Sequence, residues 1–264
     1  MRRFHPSAAR AACLLGCLLS TAALAQGLNT SPPSSPVKLI FIHHSTGQAW
    51  LGDTHGQLGL TLRDNGYFVS DTNYGWGPSS IGDRTDIGHW YDWFSGPNRE
   101  TYTSALYAEY GQHCTYSRLG ADPGGANEIV MFKSCFPNSH LRGSPSDAVP
   151  PIGSNPLRSQ YCSSSYHTVG NAKGIYIELL NYFALHPEKL FVVITAPPLR
   201  SGDTNPTYAA NARYFNDWLV NEWLAGYAYH NVAVFDFYSV LTSNGGSTRI
   251  NDPDTHDLGW AAGN

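Results

Sequence analysis

Charge is scarce in this chain. Only 14% of its 264 residues are Asp, Glu, Lys or Arg, against 42% hydrophobic, a globular balance with ample material for a core and no bulk disorder. The formal net charge is −4 and no Lys/Arg-rich block occurs, which argues against a nucleic-acid or anionic-membrane partner. No internal repeat is visible. Long apolar runs are missing too: the stretch from Ala11 to Leu19 is too short to span a membrane.

That stretch follows Arg2, Arg3 and Arg10 and precedes Ala23-Leu24-Ala25, the order of a secretory signal peptide. Residues 1–25 are therefore expected to be removed, and the mature chain, at −7 and without a transmembrane segment, to be secreted or periplasmic. Modification at Cys17 as a lipoprotein is the variant. Cysteine is the other scarcity. Of five, Cys13 and Cys17 leave with the signal, so Cys114, Cys135 and Cys162 remain, an odd number for an oxidising compartment. Cys114 and Cys162 lie in Gly/Ser-rich, loop-like sequence and Cys135 ends an apolar run, so a Cys114–Cys162 disulfide with Cys135 buried and free is expected.

After a Pro/Ser linker (26–36), one domain (37–264) carries five short apolar runs: residues 37–42, 66–70, 128–133, 190–196 and 232–237. Several are near-continuous Val, Ile, Leu and Phe, as in strands covered on both faces. Between them, Ala172, Ile175, Tyr176, Leu179, Leu180 and Phe183 mark one helical face, and Tyr208, Ala212, Phe215, Leu219 and Trp223 another. A shorter helix is predicted from about Trp50 to Leu62. Alternation of strand and helix implies α/β architecture, a three-layer α/β/α sandwich around a five-stranded parallel sheet. Residues 97–127 and 139–171 read as long excursions.

Ligands bind such sheets outside the carboxyl ends of the strands, and the first run ends in His43-His44-Ser45-Thr46-Gly47. Ser45 in that place is either a nucleophile, with its own N–H facing an oxyanion, or a helix N-cap. Gly82 follows the second run and Asn138 the third, offering an oxyanion hole in the order acyl transfer needs. His43 and His44 could instead bind a metal with His140 or His167, although neighbours on a strand point in opposite directions. Tyr74, Trp76, Trp90, Tyr91, Trp93 and Phe94 lie close to Gly82 in sequence, and are either sugar-facing aromatics or packing.

With these blocks the chain resembles the SGNH, or GDSL-like, hydrolases. Ser45 in "FIHHSTG" matches the nucleophile block by position, Gly82 in "SSIGDRTD" the second block and Asn138 in "KSCFPNS" the third, over roughly residues 37–242. The resemblance implies a flavodoxin-like sheet and a secreted serine esterase acting on small-molecule or carbohydrate esters. Ser45 would be catalytic, with the oxyanion held by the Ser45 and Gly82 N–H groups and the Asn138 side chain. His44, Tyr74, Trp76 and His167 would line the substrate, with no cofactor and no metal. The chain departs from the family at His43-His44 in place of Gly-Asp, at the third block, where Ser134 competes with Asn138, and at the missing Asp-x-x-His. Asp254 and His256 stand near that place at another spacing, so a C-terminal fragment is the expectation. The alternative readings are a noncatalytic carbohydrate- or surface-binding module and a metal-dependent hydrolase.

Overall fold

The computed structural model describes residues 31–242, and the elements below belong to one unit beginning at Pro32. The expected export signal and the Asp254–His256 pair lie outside the described residues. Five strands, β1 (Val37–Ile42), β2 (Tyr67–Thr72), β3 (Ile129–Lys133), β4 (Leu190–Ile194) and β5 (Val232–Phe235), form an all-parallel sheet in the order β2-β1-β3-β4-β5. Leu39 of β1 lies opposite both Val69 of β2 and Ile129 of β3. This is the doubly wound order whose direction of winding reverses between β1 and β3.

Alternating side chains divide the core in two. Ile40, Ile42, Val130, Phe132, Phe191 and Val193 face one layer, covered by α3 (Trp90–Phe94), α4 (Arg99–Ala108), α5 (Val169–Ala184) and α6 (Pro206–Asn221). Leu39, Phe41, Val69, Met131 and Ile194 face the other, covered by α1 (Thr46–Leu51), α2 (Leu58–Asp64) and α7 (Phe237–Leu241) together with Tyr116. Helix starts are explicit in the sequence. The Thr168 side chain accepts from the Asn171 N–H at the head of α5, and Asn205 caps α6, with Pro206 in the first turn.

Three expectations change. The helix expected from Trp50 to Leu62 is two short helices, because Gly52 adopts an extended conformation and Gln57 a left-handed one (φ 57°) between them. β5 stops at Phe235, since the Asp236 side chain caps α7 through the Ser239 N–H. The Cys114–Cys162 bridge is not formed: all three thiols are free and half-buried, with Cys114 bonded to the Asp71 carboxylate and the Cys162 N–H to Asp86. Among the described residues no helix is long and apolar enough to cross a membrane.

Phe183 is fully buried, stacks on Phe191 at 4.1 Å and meets Phe94 at 5.4 Å. Phe183→Ala should lower the unfolding free energy by about 3–5 kcal/mol in urea titrations. Leu185→Ala, two residues on but 69% exposed, should change it by no more than about 0.5 kcal/mol.

Candidate active site at the carboxyl edge of the sheet

The residues that follow β1, β2 and β3 meet where the sheet order reverses. Ser45 is exposed and begins α1 with φ 42° and ψ −97°, a region that non-glycine residues enter only when the surroundings force them. Its hydroxyl makes no capping bond and no other hydrogen bond to a described residue. Its N–H likewise makes no backbone hydrogen bond among those residues. The N-cap explanation therefore does not account for the serine. Because α1 has only six residues, its dipole adds little. An open cavity of about 550 Å³ lies beside it, lined also by Gln48, Asp53, His55 and Thr115.

His43 and His44 splay to opposite faces, as strand alternation requires. His44 is fixed at both ring nitrogens: Nε2 donates to the Gly82 carbonyl, and Nδ1 accepts from Thr85 Oγ1 at 3.0 Å. Tyr74, 64% exposed, stacks over the ring at 3.8 Å. Burial depresses the His44 pKa, outweighing the Gly82 carbonyl that favours the imidazolium, so the ring is a neutral support. Gly82 is a glycine for steric reasons, since a Cβ there would lie 2.3 Å from the Asn73 carbonyl. Its N–H donates to the Trp76 carbonyl at 2.9 Å and is thus already committed.

Asn138, 1% exposed, is likewise committed. Its Nδ2 donates to Asp86 Oδ1 at 2.7 Å and to the Cys135 carbonyl at 3.3 Å, while its Oδ1 accepts from the Ile87 N–H at 2.8 Å. The loop after β2 thus contacts both of the others, touching His44 through Gly82 and Thr85 and Asn138 through Asp86 and Ile87. His167 is buried, its Nε2 donating to the Asn138 carbonyl at 2.9 Å. Trp76 is 7% exposed, bonded to Glu109 and stacked near Trp93. Both side chains are buried and held by these partners. Ser134 accepts from the buried Trp90 indole at 3.0 Å. Trp90, Trp93 and Phe94 are core residues; of the aromatics near Gly82, Tyr74 alone is exposed.

Two charged groups escaped sequence reasoning. Asp71 lies in β2, fully buried, and receives His43 Nε2 at 3.0 Å, Tyr116 Oη at 3.0 Å, the His113 N–H at 2.8 Å and Cys114 Sγ at 3.3 Å. Burial opposes ionisation, but these donors prevail and hold the carboxyl below its usual range. Lys133 ends β3, 1% exposed, with Nζ 3.3 Å from Thr46 Oγ1 and 3.8 Å from Cys135 Sγ. Burial pushes its pKa down. A lysine interrupting "IVMFKSC" was the available signal.

No family model, curated protein or solved structure matches the chain.

Two measurements follow from this geometry. His44, His89 and His167 all have depressed pKa values, with burial the leading cause. Unfolded, each titrates near 6.5, so the unfolded chain binds more protons below that pH. Stability should be full above it and fall as pH drops from there through the folded values, with His167→Gln flattening the slope in denaturant titrations. Asn138→Ala, which strands the Ile87 N–H and removes one donor to Asp86, should cost about 1–3 kcal/mol of stability by the same assay.

Proposed function

We propose that this protein is a secreted ester hydrolase of the SGNH kind with Ser45 as its nucleophile. The observation that carries this reading is the backbone of Ser45: an exposed serine in a strained positive-φ conformation, on the turn from a buried strand into a helix, at the point where the sheet order reverses. A strained strand-to-helix turn holds a nucleophilic hydroxyl clear of the sheet, and strain of this kind is maintained where function uses it. The Ser45 N–H, without a partner among the described residues, supplies one oxyanion donor. Gly82 and Asn138 support the site through the bonds they already make, and would contribute further donors only by exchanging one. The family resemblance puts the acid and base in a late Asp-x-x-His block, outside the described residues, while Asp53 and His55 line the same cavity as Ser45.

Exposed aromatics favour an acylated carbohydrate as the substrate. Tyr74 follows β2, Phe136 follows β3, and Tyr161 and Tyr166 stand on the 139–168 excursion, each 44% to 64% exposed. Such rings offer apolar faces beside polar rims.

The test is covalent labelling with a fluorophosphonate probe alongside hydrolysis of p-nitrophenyl acetate by the full-length exported protein. Ser45→Ala should abolish labelling and lower turnover by several orders of magnitude. Tyr74→Ala should raise KM for an acetylated oligosaccharide more than for the aryl ester. A Ser45→Ala protein that keeps full labelling and turnover removes the proposal.

A further inference from the structure

We propose that His43, Asp71 and Cys114 form a zinc-class metal site on the face of the sheet away from His44. The three candidate ligand atoms already stand in a triangle: His43 Nε2 to Asp71 Oδ2 3.0 Å, Cys114 Sγ to Asp71 Oδ2 3.3 Å, and Cys114 Sγ to His43 Nε2 3.9 Å. Zinc bonds of about 2.0–2.3 Å at tetrahedral angles give edges of about 3.3–3.6 Å between nitrogen, oxygen and sulfur ligands. The ion therefore fits with shifts of a few tenths of an ångström. The donor set suits it as well, one imidazole, one carboxylate and one thiolate, whose two negative charges balance a divalent cation.

The carboxylate is aimed in advance. Asp71 Oδ1 is occupied by the His113 N–H and the Tyr116 hydroxyl, which turns Oδ2 toward the ring and the thiol, the outer-shell orientation that metal carboxylates use. His43 and Asp71 are fully buried and come from the ends of neighbouring strands, while Cys114 arrives on the segment after α4. An ion here would tie that segment to the sheet. Binding requires Cys114 to lose its proton to solvent and His43 to carry its ring proton on Nδ1. That nitrogen is buried without a hydrogen-bond partner among the described residues, so the site is weaker than a closed four-ligand one. Three protein ligands leave the fourth tetrahedral position to water or a further group.

The experiment uses the full-length protein, stripped with a chelator, reloaded with Zn²⁺ or Co²⁺ and passed through gel filtration for metal analysis. One ion per chain is expected, and the cobalt form should show a thiolate-to-metal charge-transfer band. Cys114→Ser keeps a hydroxyl donor for Asp71 and so preserves the fold, yet should abolish the band and lower zinc affinity by at least about a hundredfold, beyond the loss typical of an outer-shell change. Asp71→Asn should weaken zinc in the same direction, and Cys162→Ser should leave both readouts unchanged. Absence of retained metal, or a band that survives Cys114→Ser, overturns the proposal. Neither readout depends on Ser45, so hydrolase activity and the metal site stand or fall separately.

Discussion

A carboxylate sealed from solvent must be met by donors that come to it, and Asp71 is the group this fold is arranged around. Its partners arrive from the end of β1 and from His113, Cys114 and Tyr116 of the segment after α4, none adjacent to β2 in sequence. With desolvation so costly, a missing donor would be felt as an unpaired buried charge. The position of His43 is thereby dictated, and with it the direction in which the chain leaves β1. Gly47 has to be a glycine for the same reason: a Cβ there would lie 2.3 Å from the His43 Cβ. The chain entering the turn that carries Ser45 is consequently held on both faces of the sheet, by His43 on one and His44 on the other.

The second layer of control is the loop following β2. Gly82, Thr85, Asp86 and Ile87 reach in turn to His44 and to Asn138, so three strand-end segments form one connected polar assembly. Asp86 also accepts the Cys162 N–H, which draws the long 139–168 excursion against the same loop. Burial and hydrogen bonding, more than regular secondary structure, make these irregular segments rigid enough to frame a site.

The sheet was legible because buried parallel strands announce themselves as β-branched and aromatic runs; β1 begins and ends at the residues its apolar run indicates. Helices α5 and α6 were legible through apolar spacing and their terminating signals. The first helix was not, since hydrophobic spacing continues across Gly52 and Gly56 although the backbone does not. At the site, position in the fold could be read from sequence, but engagement could not. Asn138 and Gly82 have their hydrogens already spoken for, Asn138 through contacts about 50 residues away and Gly82 through a local turn back to the Trp76 carbonyl. Trp76 and His167 illustrate the same limit, because an aromatic in a polar loop carries no mark of which way it faces. Cys114 reads as a disulfide partner for want of any sequence trace of Asp71 beside it.

The register of the central strands has a kinetic consequence. β1 cannot complete its pairing with β3 until Leu39 finds Ile129, about ninety residues further along the chain, and each remaining parallel pair also spans a crossover. Contacts so distant in sequence incur loop-closure entropy before they return any stabilisation. The apolar strands must therefore wait, unpaired, for partners that are made late, and in a chain made from its N-terminus β1 is the apolar strand left open for the longest time.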